Sequence, residues 1–188
     1  AQESRGLGDV YKRQVMVAPD DPLVLGMVDA MEKEGIRAFG PRANAAIIEG
    51  SKAFSKELMK KYNIPTANYE VFTDSTSAID YIKAQNTFPT VIKADGLALG
   101  KGVIIAQNLE EAEQAVHEMI DDGKFGKSGS RVVIEEFLTG PEVSVLAFTD
   151  GKTVKPMVSA QDHKRAYDND EGPVSYTHLR AHETPEHL

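Results

Sequence analysis

Residues 91–105 read VIKADGLALGKGVII, with three glycines and two lysines between two β-branched runs. Because β-branched residues favour strands and glycines favour turns, this stretch predicts a hairpin with a glycine-rich loop. It does not fit the P-loop pattern, since Gly96 and Gly100 are separated by three residues instead of four and Gly102 replaces the metal-binding hydroxyl. A dinucleotide-binding fingerprint does not fit either, because a strand and not a helix follows the loop.

A glycine-rich hairpin can bind phosphate groups through its backbone N–H groups, and neighbouring lysines add positive charge. Lys93 and Lys101 occupy such positions. The alternative is a mobile turn whose lysines are only solvated. The hairpin sequence by itself leaves both interpretations open.

The composition indicates a globular protein, and its negative charge favours a small-molecule ligand over a nucleic acid. The 188 residues are 41% hydrophobic with a formal net charge of -8, and the basic residues form no strip, which disfavours a DNA or RNA partner. No apolar run approaches the roughly 20 residues that cross a bilayer, and the N-terminus lacks a signal-peptide pattern, so we expect no membrane partner. The absence of cysteine excludes disulfides and favours a cytoplasmic location.

The two ends differ from the rest of the chain. Residues 1–14 (AQESRGLGDVYKRQ) and 174–188 (VSYTHLRAHETPEHL) have no amphipathic period and resemble translated sequencing-adapter DNA. We therefore treat them as non-native tails and exclude them from the fold, as we would disordered tails. The remainder is predicted to comprise a remnant of an N-terminal α/β domain, residues 15–50, and a second domain, residues 51–173.

The sequence of residues 15–50 predicts a β-α-β unit of the doubly wound kind. Its strands are expected over residues 15–18 and 36–39. The helix between them is expected to have Asp21 as N-cap and Pro22 at its first position, and to end at Gly35.

Two further helices lead into the second part. The first is predicted over residues 43–49, and the second is capped by Ser51 and ends near Asn63. The residues of the second helix that are expected to face inward are Phe54, Leu58 and Met59.

The sequence from Tyr69 onward predicts a compact α+β module. Its expected elements are a strand from Tyr69, a helix over 77–84, strands over 91–93 and 103–105, a helix over 109–120 and a strand over 131–136. Asn108 and Glu111 form a capping-box pattern before the second of these helices. Residues 143–148 and 154–158 predict a hairpin closed by Asp150-Gly151, a pair that favours a type I′ turn.

Four segments carry a resemblance to a known family. EGSKAFSK (49–56), PTVIKADGLALGKGVIIA (89–106), VVIEEFLTGPEVSV (132–145) and SAQDHKR (159–165) occur in the order and at the spacing of ATP-grasp ligases. They are most similar to the phosphoribosylamine-glycine ligase family, also called glycinamide ribonucleotide synthetases. The resemblance implies a truncated Rossmann-like (pre-ATP-grasp) unit followed by a partial ATP-grasp fold, with a lid subdomain over about residues 64–134.

The resemblance also implies an activity in purine biosynthesis. Enzymes of this family use ATP, with Mg²⁺ or Mn²⁺, to phosphorylate the carboxylate of glycine. The amine of 5-phosphoribosylamine then attacks the glycyl phosphate, which gives glycinamide ribonucleotide, ADP and phosphate. The implied enzyme is cytoplasmic and monomeric. Because positioning and charge neutralisation carry most of this chemistry, no catalytic side chain is assigned.

By resemblance, nucleotide binding involves two lysines, the glycine loop and a hinge. Lys52 and Lys93 would reach the phosphates, and the loop would cover them as a lid with added charge from Lys101. The main chain of the hinge would bind adenine, and a carboxylate beyond it would bind ribose. The implied residues are Lys52, Lys93, Gly96, Gly100, Lys101, Gly102, Glu135, Glu136, Phe137, Leu138 and, for ribose, Glu142.

Other interpretations of these residues come from the sequence without the resemblance. Lys52 would be an exposed helix lysine, and Glu135 and Glu136 would be the charged end of a strand. Asp95 is predicted to form a turn and not to take part in catalysis.

Substrate binding is assigned by resemblance to the polar cluster Asp162, His163, Lys164 and Arg165. Lys164 or Arg165 could hold the ribose phosphate, since arginine suits bidentate contact. His163 is not assigned as a general base, because the implied reaction depends on positioning and charge.

No metal site is predicted in this chain. His178 and His182 have a zinc-like spacing, but Glu183 does not lie between them, Pro185 interrupts the segment and all four lie in the C-terminal tail. The metal ligands of the family, a glutamate and an asparagine, would follow Pro173 and have no counterpart. We therefore expect the chain itself to be inactive.

Three alternatives to this ligase remain open. The chain could belong to another ATP-grasp carboxylate-amine ligase, it could be an ATP-binding module without catalysis, or it could be a structural α+β domain.

Overall fold

The computed structural model describes residues 14–98, 101–161, 165–167 and 171–174. These residues fall into two compact units, one ending at Leu138 and the other beginning at Thr139. Of the two predicted tails, only Gln14 and Val174 lie among the described residues, and both belong to strands.

The first unit begins with the predicted β-α-β arrangement. β1 (Gln14–Met16) and β2 (Arg37–Phe39) pair in parallel. Two short helices, α1 (Asp20–Val24) and α2 (Met27–Lys33), connect them.

This connection differs from the single helix that the sequence predicts. α1 begins at Asp20, so Asp21 and Pro22 lie within its first turn and not at its cap. Gly26 has a φ of 86°, in the left-handed region that favours glycine, and it separates α1 from α2. Gly35, with a φ of 72°, follows the end of α2 as predicted.

Two helices, α3 (Ala43–Gly50) and α4 (Lys52–Lys61), lead into the rest of the first unit. The predicted cap of α4 is confirmed, because the Ser51 hydroxyl accepts a hydrogen bond from the Phe54 N–H at 3.1 Å. A side-chain cap of this kind stabilises a helix by about 1 kcal/mol.

The prediction that Phe54 of α4 faces inward is wrong, because this residue is 37% exposed. Ala53 and Lys56 are buried instead. The reason is electrostatic, because α4 directs the Lys56 ammonium toward the buried carboxylate of Glu135.

A four-stranded antiparallel sheet forms the remainder of the first unit. Its strands are β3 (Tyr69–Phe72), β4 (Thr90–Ala94), β5 (Val103–Ala106) and β6 (Val132–Glu136), in the order β3-β6-β4-β5. β4 and β5 form the predicted hairpin, in which Val91 is opposite Ile105 and Lys93 is opposite Val103.

Two helices, α5 (Ser75–Gln85) and α6 (Leu109–Ile120), pack on one face of this sheet. The largest residues of the resulting core include Ile79, Ile82, Ile92, Val116, Met119, Val132 and Ile134. Among the described helices, none combines the length and the apolar character that crossing a bilayer requires.

Side chains cap both of these helices. The Asp74 carboxylate accepts a hydrogen bond from the Ser77 N–H at 2.8 Å, which explains why α5 begins before the predicted position. The cap predicted for α6 is confirmed, since Asn108 Oδ1 accepts from the Glu111 N–H at 3.0 Å. The reciprocal bond differs from that of a capping box, because the Glu111 carboxylate accepts from the backbone N–H of Gln107 at 2.8 Å and not from that of Asn108.

The second unit contains two antiparallel strand pairs. β7 (Ala147–Thr149) pairs with β8 (Val154–Pro156), which confirms the predicted hairpin with shorter strands. β9 (Arg165–Tyr167) pairs with β10 (Glu171–Val174).

The type I′ turn predicted at Asp150-Gly151 is wrong. Thr149 is opposite Val154, so residues 150–153 connect the strands instead of two residues. Gly151 has a φ of 85° but Asp150 has no positive φ, whereas type I′ requires a positive φ at both central residues. The Asp150 carboxylate instead accepts a hydrogen bond from the Thr153 N–H at 2.7 Å, which favours the longer turn.

The buried carboxylate of Asp95, directly after β4, joins α4 to the sheet. It accepts hydrogen bonds from the Ala53 N–H at 2.7 Å and from the Ser51 hydroxyl at 3.1 Å, both at the start of α4. Arg131, directly before β6, donates to it through Nε at 3.0 Å and also through Nη2. Asp95 therefore does more than form the predicted turn, because it ties a helix and two strands together.

Replacing Asp95 by Asn should destabilise the first unit. The neutral amide loses the ion pair with Arg131 and leaves donors of α4 without an anionic acceptor, which should lower the free energy of unfolding by about 2–4 kcal/mol. Urea unfolding measures this loss. The matched control is Asp80→Asn, at an exposed carboxylate of α5, which should change the free energy by less than about 0.5 kcal/mol. Equal losses in the two variants would contradict the role of Asp95.

Candidate functional site

The candidate site lies on the face of the sheet that meets α4. Because alternate residues of a strand point to opposite faces, Ile92 and Ile134 lie in the core under α5 and α6, whereas Lys93 and Glu135 lie on the other face. α4 covers part of that face through Lys56, whose ammonium is 3.1 Å from Glu135 Oε2. One face of the sheet is thus apolar, and the other, the charged face, carries Lys93 and Glu135 beside the buried Val91 and Val133.

Lys52, the first residue of α4, reaches the glycine loop. Its backbone N–H donates to the Asp95 carbonyl at 3.0 Å, and its ammonium donates to the Gly96 carbonyl at 3.0 Å. Burial lowers the pKa of Lys52, the Asp95 carboxylate opposes that change and the positive charge of Lys93 adds to it. The two lysines assigned to phosphate are therefore close enough to interact electrostatically.

Lys93 forms an ion pair within the chain. Its ammonium is 2.9 Å from Glu135 Oε2, and its side chain is 27% exposed. The lysine is thus held on the charged face while part of it still meets solvent. Its contact with a nucleotide phosphate stays a prediction.

Glu135 and Glu136 point in opposite directions at the end of β6. Glu135 is buried and its carboxylate binds lysine side chains. Glu136 is exposed, and its carboxylate accepts from the backbone N–H and the side-chain amide of Asn68 at 3.1 and 2.8 Å. Both side chains have partners in the chain, so a role in adenine binding would fall to the main chain that follows.

The main chain after β6 is open to a ligand. Phe137 and Leu138 are exposed, and no backbone hydrogen bond joins either of them to another residue of the described part. Backbone groups that bind no other described residue fit the predicted hinge, which would pair with the edge of a base.

The structure gives Gly96 and Gly102 a packing role. A Cβ on Gly96 would lie 3.0 Å from Ser128 Cα, and the Gly96 N–H already donates to the Ser128 carbonyl at 3.2 Å. A Cβ on Gly102 would lie 2.6 Å from Ala98 Cβ. Close packing explains both glycines, and their contact with phosphate stays a prediction. Lys101 is exposed beside them.

The remaining predicted residues belong to the second unit or fall outside the described residues. Glu142 and Arg165 belong to the second unit, where Arg165 opens β9. Their roles stay predictions. The predicted residues outside the described part are Gly100, Asp162, His163 and Lys164, together with the zinc-like pair His178 and His182.

A cleft of about 670 Å³ opens beside Lys52. Its walls include residues 18–22, Glu49, and Leu97 and Ala98 of the glycine loop. Small-molecule sites commonly enclose about 300–1,000 Å³, so the cleft is large enough for a ligand. Sequence reasoning did not single out residues 18–22 for this site. Their position after β1 was the available signal, because ligands of α/β sheets bind at the carboxyl ends of parallel strands.

Sequence reasoning also missed Lys56 and Arg131. Lys56 lies one helical turn after Lys52, and residues four apart share a helix face, which was a signal for its position. Nothing in the sequence indicated that Arg131 pairs with Asp95, since the two residues are distant along the chain. Within the described residues, no group of three or more His, Asp or Glu side chains could hold a metal ion.

Comparison with protein families gives two adjacent matches. Residues 10–49 match the phosphoribosylglycinamide synthetase N domain. Residues 50–176 match the phosphoribosylglycinamide synthetase ATP-grasp (A) domain. The second match covers the charged face, the glycine loop and the hinge.

Curated relatives include phosphoribosylamine-glycine ligases of several bacteria. The chain is 56% identical over 157 residues to the phosphoribosylamine-glycine ligase of Halalkalibacterium halodurans, a match that covers 84% of the chain and 36% of the relative. It is 50% identical over 177 residues to that of Allochromatium vinosum, covering 92% of the chain and 41% of the relative. The chain therefore spans roughly two-fifths of the length of these relatives.

Solved structures support the same fold. The phosphoribosylamine-glycine ligase of Thermotoga maritima superposes with a TM-score of 0.73 at 34% identity, covering 90% of the chain and 41% of that protein. The biotin carboxylase domain of Hydrogenobacter thermophilus 2-oxoglutarate carboxylase gives a TM-score of 0.68 at 20% identity over 87% of the chain and 37% of that protein, a likeness of fold alone.

The pKa of Lys52 tests the proximity of the two lysines. In ¹³C NMR of lysine Cε, Lys52 should titrate below the ordinary lysine value of about 10.4, because burial disfavours its charged form. Lys93→Met should raise the pKa of Lys52, since it removes a nearby positive charge. Lys60→Met, farther along α4, is the control and should leave this pKa unchanged. An unchanged pKa of Lys52 in Lys93→Met would contradict the convergence.

Proposed function

The chain belongs to the phosphoribosylglycinamide synthetase family, and on this basis we propose that it binds ATP at the Lys52-Lys93 site for a phosphoribosylamine-glycine ligase. In the proposed reaction ATP transfers its γ-phosphoryl group to the glycine carboxylate and leaves ADP. The amine of 5-phosphoribosylamine then displaces phosphate from the glycyl phosphate, which gives glycinamide ribonucleotide. The chain spans 36% of the Halalkalibacterium halodurans ligase and 41% of the Allochromatium vinosum ligase. The activity and the substrates of the whole enzyme are therefore proposed for this chain.

The convergence of Lys52 and Lys93 beside the glycine loop carries this proposal. Lys52 is anchored by the Gly96 carbonyl at 3.0 Å, and the charge of Lys93 acts on its pKa. The Asp95 and Glu135 carboxylates offset part of the repulsion between the two ammonium groups. Phosphate oxygens would add a further anion that both ammonium groups attract.

The described residues support this chemistry through positioning and charge. Phosphoryl transfer depends mainly on holding the groups in line and on stabilising the charge of the transferring oxygens. A partly buried lysine such as Lys52 does this more effectively than one in water, because the local dielectric constant is lower. The free main chain of Phe137 and Leu138 would orient the base and so set the position of the phosphates.

A divalent cation, Mg²⁺ or Mn²⁺, belongs to the proposed reaction and would neutralise charge on the phosphates. The described residues offer no cluster of three or more ligands for it. A cytoplasmic location and a monomeric state complete the proposal.

ATP binding should depend on both lysines. In isothermal titration of the chain with the non-hydrolysable analogue AMP-PNP, Lys52→Met and Lys93→Met should each weaken binding by about 10–100-fold, since a charged hydrogen bond contributes about 1.5–3 kcal/mol. The pH dependence follows from the lowered pKa of Lys52. Binding should weaken as the pH rises through that pKa, because only the protonated lysine attracts phosphate.

Lys60→Met is the control for this titration, since Lys60 lies on the same helix and is exposed. It should bind AMP-PNP like the unmodified chain. Unaltered binding in Lys52→Met and Lys93→Met would exclude the proposed site. Circular dichroism verifies that each variant is folded.

ADP release tests ligation separately from binding. We expect the chain to bind ATP without glycine-dependent release of ADP, because it spans only about two-fifths of the length of its relatives. The assay compares ATP alone with ATP, Mg²⁺, glycine and 5-phosphoribosylamine. ADP release that requires glycine would contradict this expectation and would establish the ligase reaction for this chain.

A further inference from the structure

One buried carboxylate binds two lysines on the charged face of the sheet. Oε2 of Glu135 is 2.9 Å from the Lys93 ammonium and 3.1 Å from the Lys56 ammonium. Glu135 is 6% exposed and Lys56 is 8% exposed. The three side chains together carry one excess positive charge, on the face that the nucleotide phosphates are proposed to occupy.

The two lysines are held differently. The Lys56 ammonium also donates to Thr66 Oγ1 at 2.7 Å and lies 5.4 Å from the centre of the Tyr69 ring. Lys56 is therefore fixed by a carboxylate, a hydroxyl and an aromatic face. For Lys93, Glu135 is the only hydrogen-bond acceptor of its ammonium among the described residues, and its side chain is 27% exposed. Lys93 is the lysine that can leave.

The departure of Lys93 is feasible only if Glu135 keeps a counter-ion. A buried carboxylate without a partner is strongly disfavoured, so a single lysine paired with it would stay in place. Lys56 removes this obstacle, because it remains bound to Glu135 when Lys93 turns away. The second lysine thus makes the first one available to an anion.

We propose that Lys56 is a positioning residue that neutralises Glu135 and thereby frees the Lys93 ammonium for a phosphate group. Lys56 does not touch the nucleotide in this arrangement and acts through Glu135. The identity of the anion rests on the proposed ATP function. The release of Lys93 from Glu135, with Lys56 remaining as the counter-ion, rests on the geometry of the two ion pairs.

The first experiment titrates four variants with AMP-PNP. Lys56→Met should weaken binding about 10-fold, because Glu135 then holds Lys93 alone. The double variant Lys56→Met/Glu135→Gln should recover binding to within about threefold of the unmodified chain, because no anion competes for Lys93. Lys56→Arg keeps the charge and should bind normally, as should the control Lys60→Met.

A purely structural role of Lys56 predicts a different pattern. The double variant would then bind as weakly as Lys56→Met or more weakly, and this result would overturn the proposal, as would normal binding in Lys56→Met. If Lys56→Met does not fold, the double variant decides, because it leaves neither Lys56 nor Glu135 as an unpaired buried charge. It should bind AMP-PNP to within about threefold of the unmodified chain, and weaker binding would overturn the proposal.

The second experiment needs no nucleotide. The rate of Lys93 acetylation by acetic anhydride, followed by mass spectrometry, reports how firmly Glu135 holds the protonated ammonium. Lys93 should react more slowly in Lys56→Met and faster in the double variant than in the unmodified chain. An unchanged rate in both variants would overturn the proposal.

The two experiments separate the inference from the proposed function. If the unmodified chain does not bind AMP-PNP, the ATP site is wrong, and the acetylation rates alone then decide whether Lys56 releases Lys93. If AMP-PNP binds but the acetylation rates do not change, the ATP site stands and the role of Lys56 is wrong.

Discussion

The carboxylate of Asp95 is the interaction on which the arrangement of the first unit depends. It binds the Ser51 hydroxyl and the Ala53 N–H at the start of α4, and it binds the Arg131 guanidinium before β6. Because Asp95 itself follows β4, one buried group fixes a helix relative to two adjacent strands. Lys52 lies between Ser51 and Ala53, the two residues that Asp95 binds at the start of α4. The same contacts therefore direct the Lys52 side chain toward the glycine loop.

The charged side chains on the α4 side of the sheet also affect how the sheet is packed. The opposite face is filled by apolar side chains such as Ile92 and Ile134 under α5 and α6. On the α4 side Glu135 is as deeply buried as many core residues, which is tolerable only because lysine ammonium groups lie within ion-pair distance. The sheet therefore combines an apolar core that supplies stability with a charged layer that suits an anionic ligand.

The sequence predicted most of the local structure because short-range signals are strong there. Ser51 and Asn108 are caps with a local hydrogen-bond partner, and the β-branched run that begins at Val91 marks a strand. Predictions failed where a distant residue decides the outcome. Phe54 is exposed because Glu135 attracts Lys56 into the interface, and no pattern within α4 shows that a carboxylate waits there.

The site was predictable only in part for the same reason. Lys52 and Lys93 were identified by resemblance, and the structure adds that each is anchored by a different partner, a carbonyl and a carboxylate. The packing role of Gly96 depends on Ser128, which is far along the chain, so the glycine pattern alone suggested phosphate binding. Contacts of this kind require the fold before they can be seen.

The start of α4 offers no free N–H groups at Lys52, Ala53 and Phe54 to an anion, so the positive charge of the proposed site would come from side chains. A helix start can bind phosphate through its free N–H groups. In α4 these groups already have partners, since the N–H of Lys52 donates to the Asp95 carbonyl, that of Ala53 to the Asp95 carboxylate and that of Phe54 to Ser51. The contacts that aim Lys52 at the loop therefore also remove the helix start as an anion site. If phosphate binds at the proposed site, the positive charge would come from Lys52 and Lys93, whereas a P-loop also offers the start of a helix.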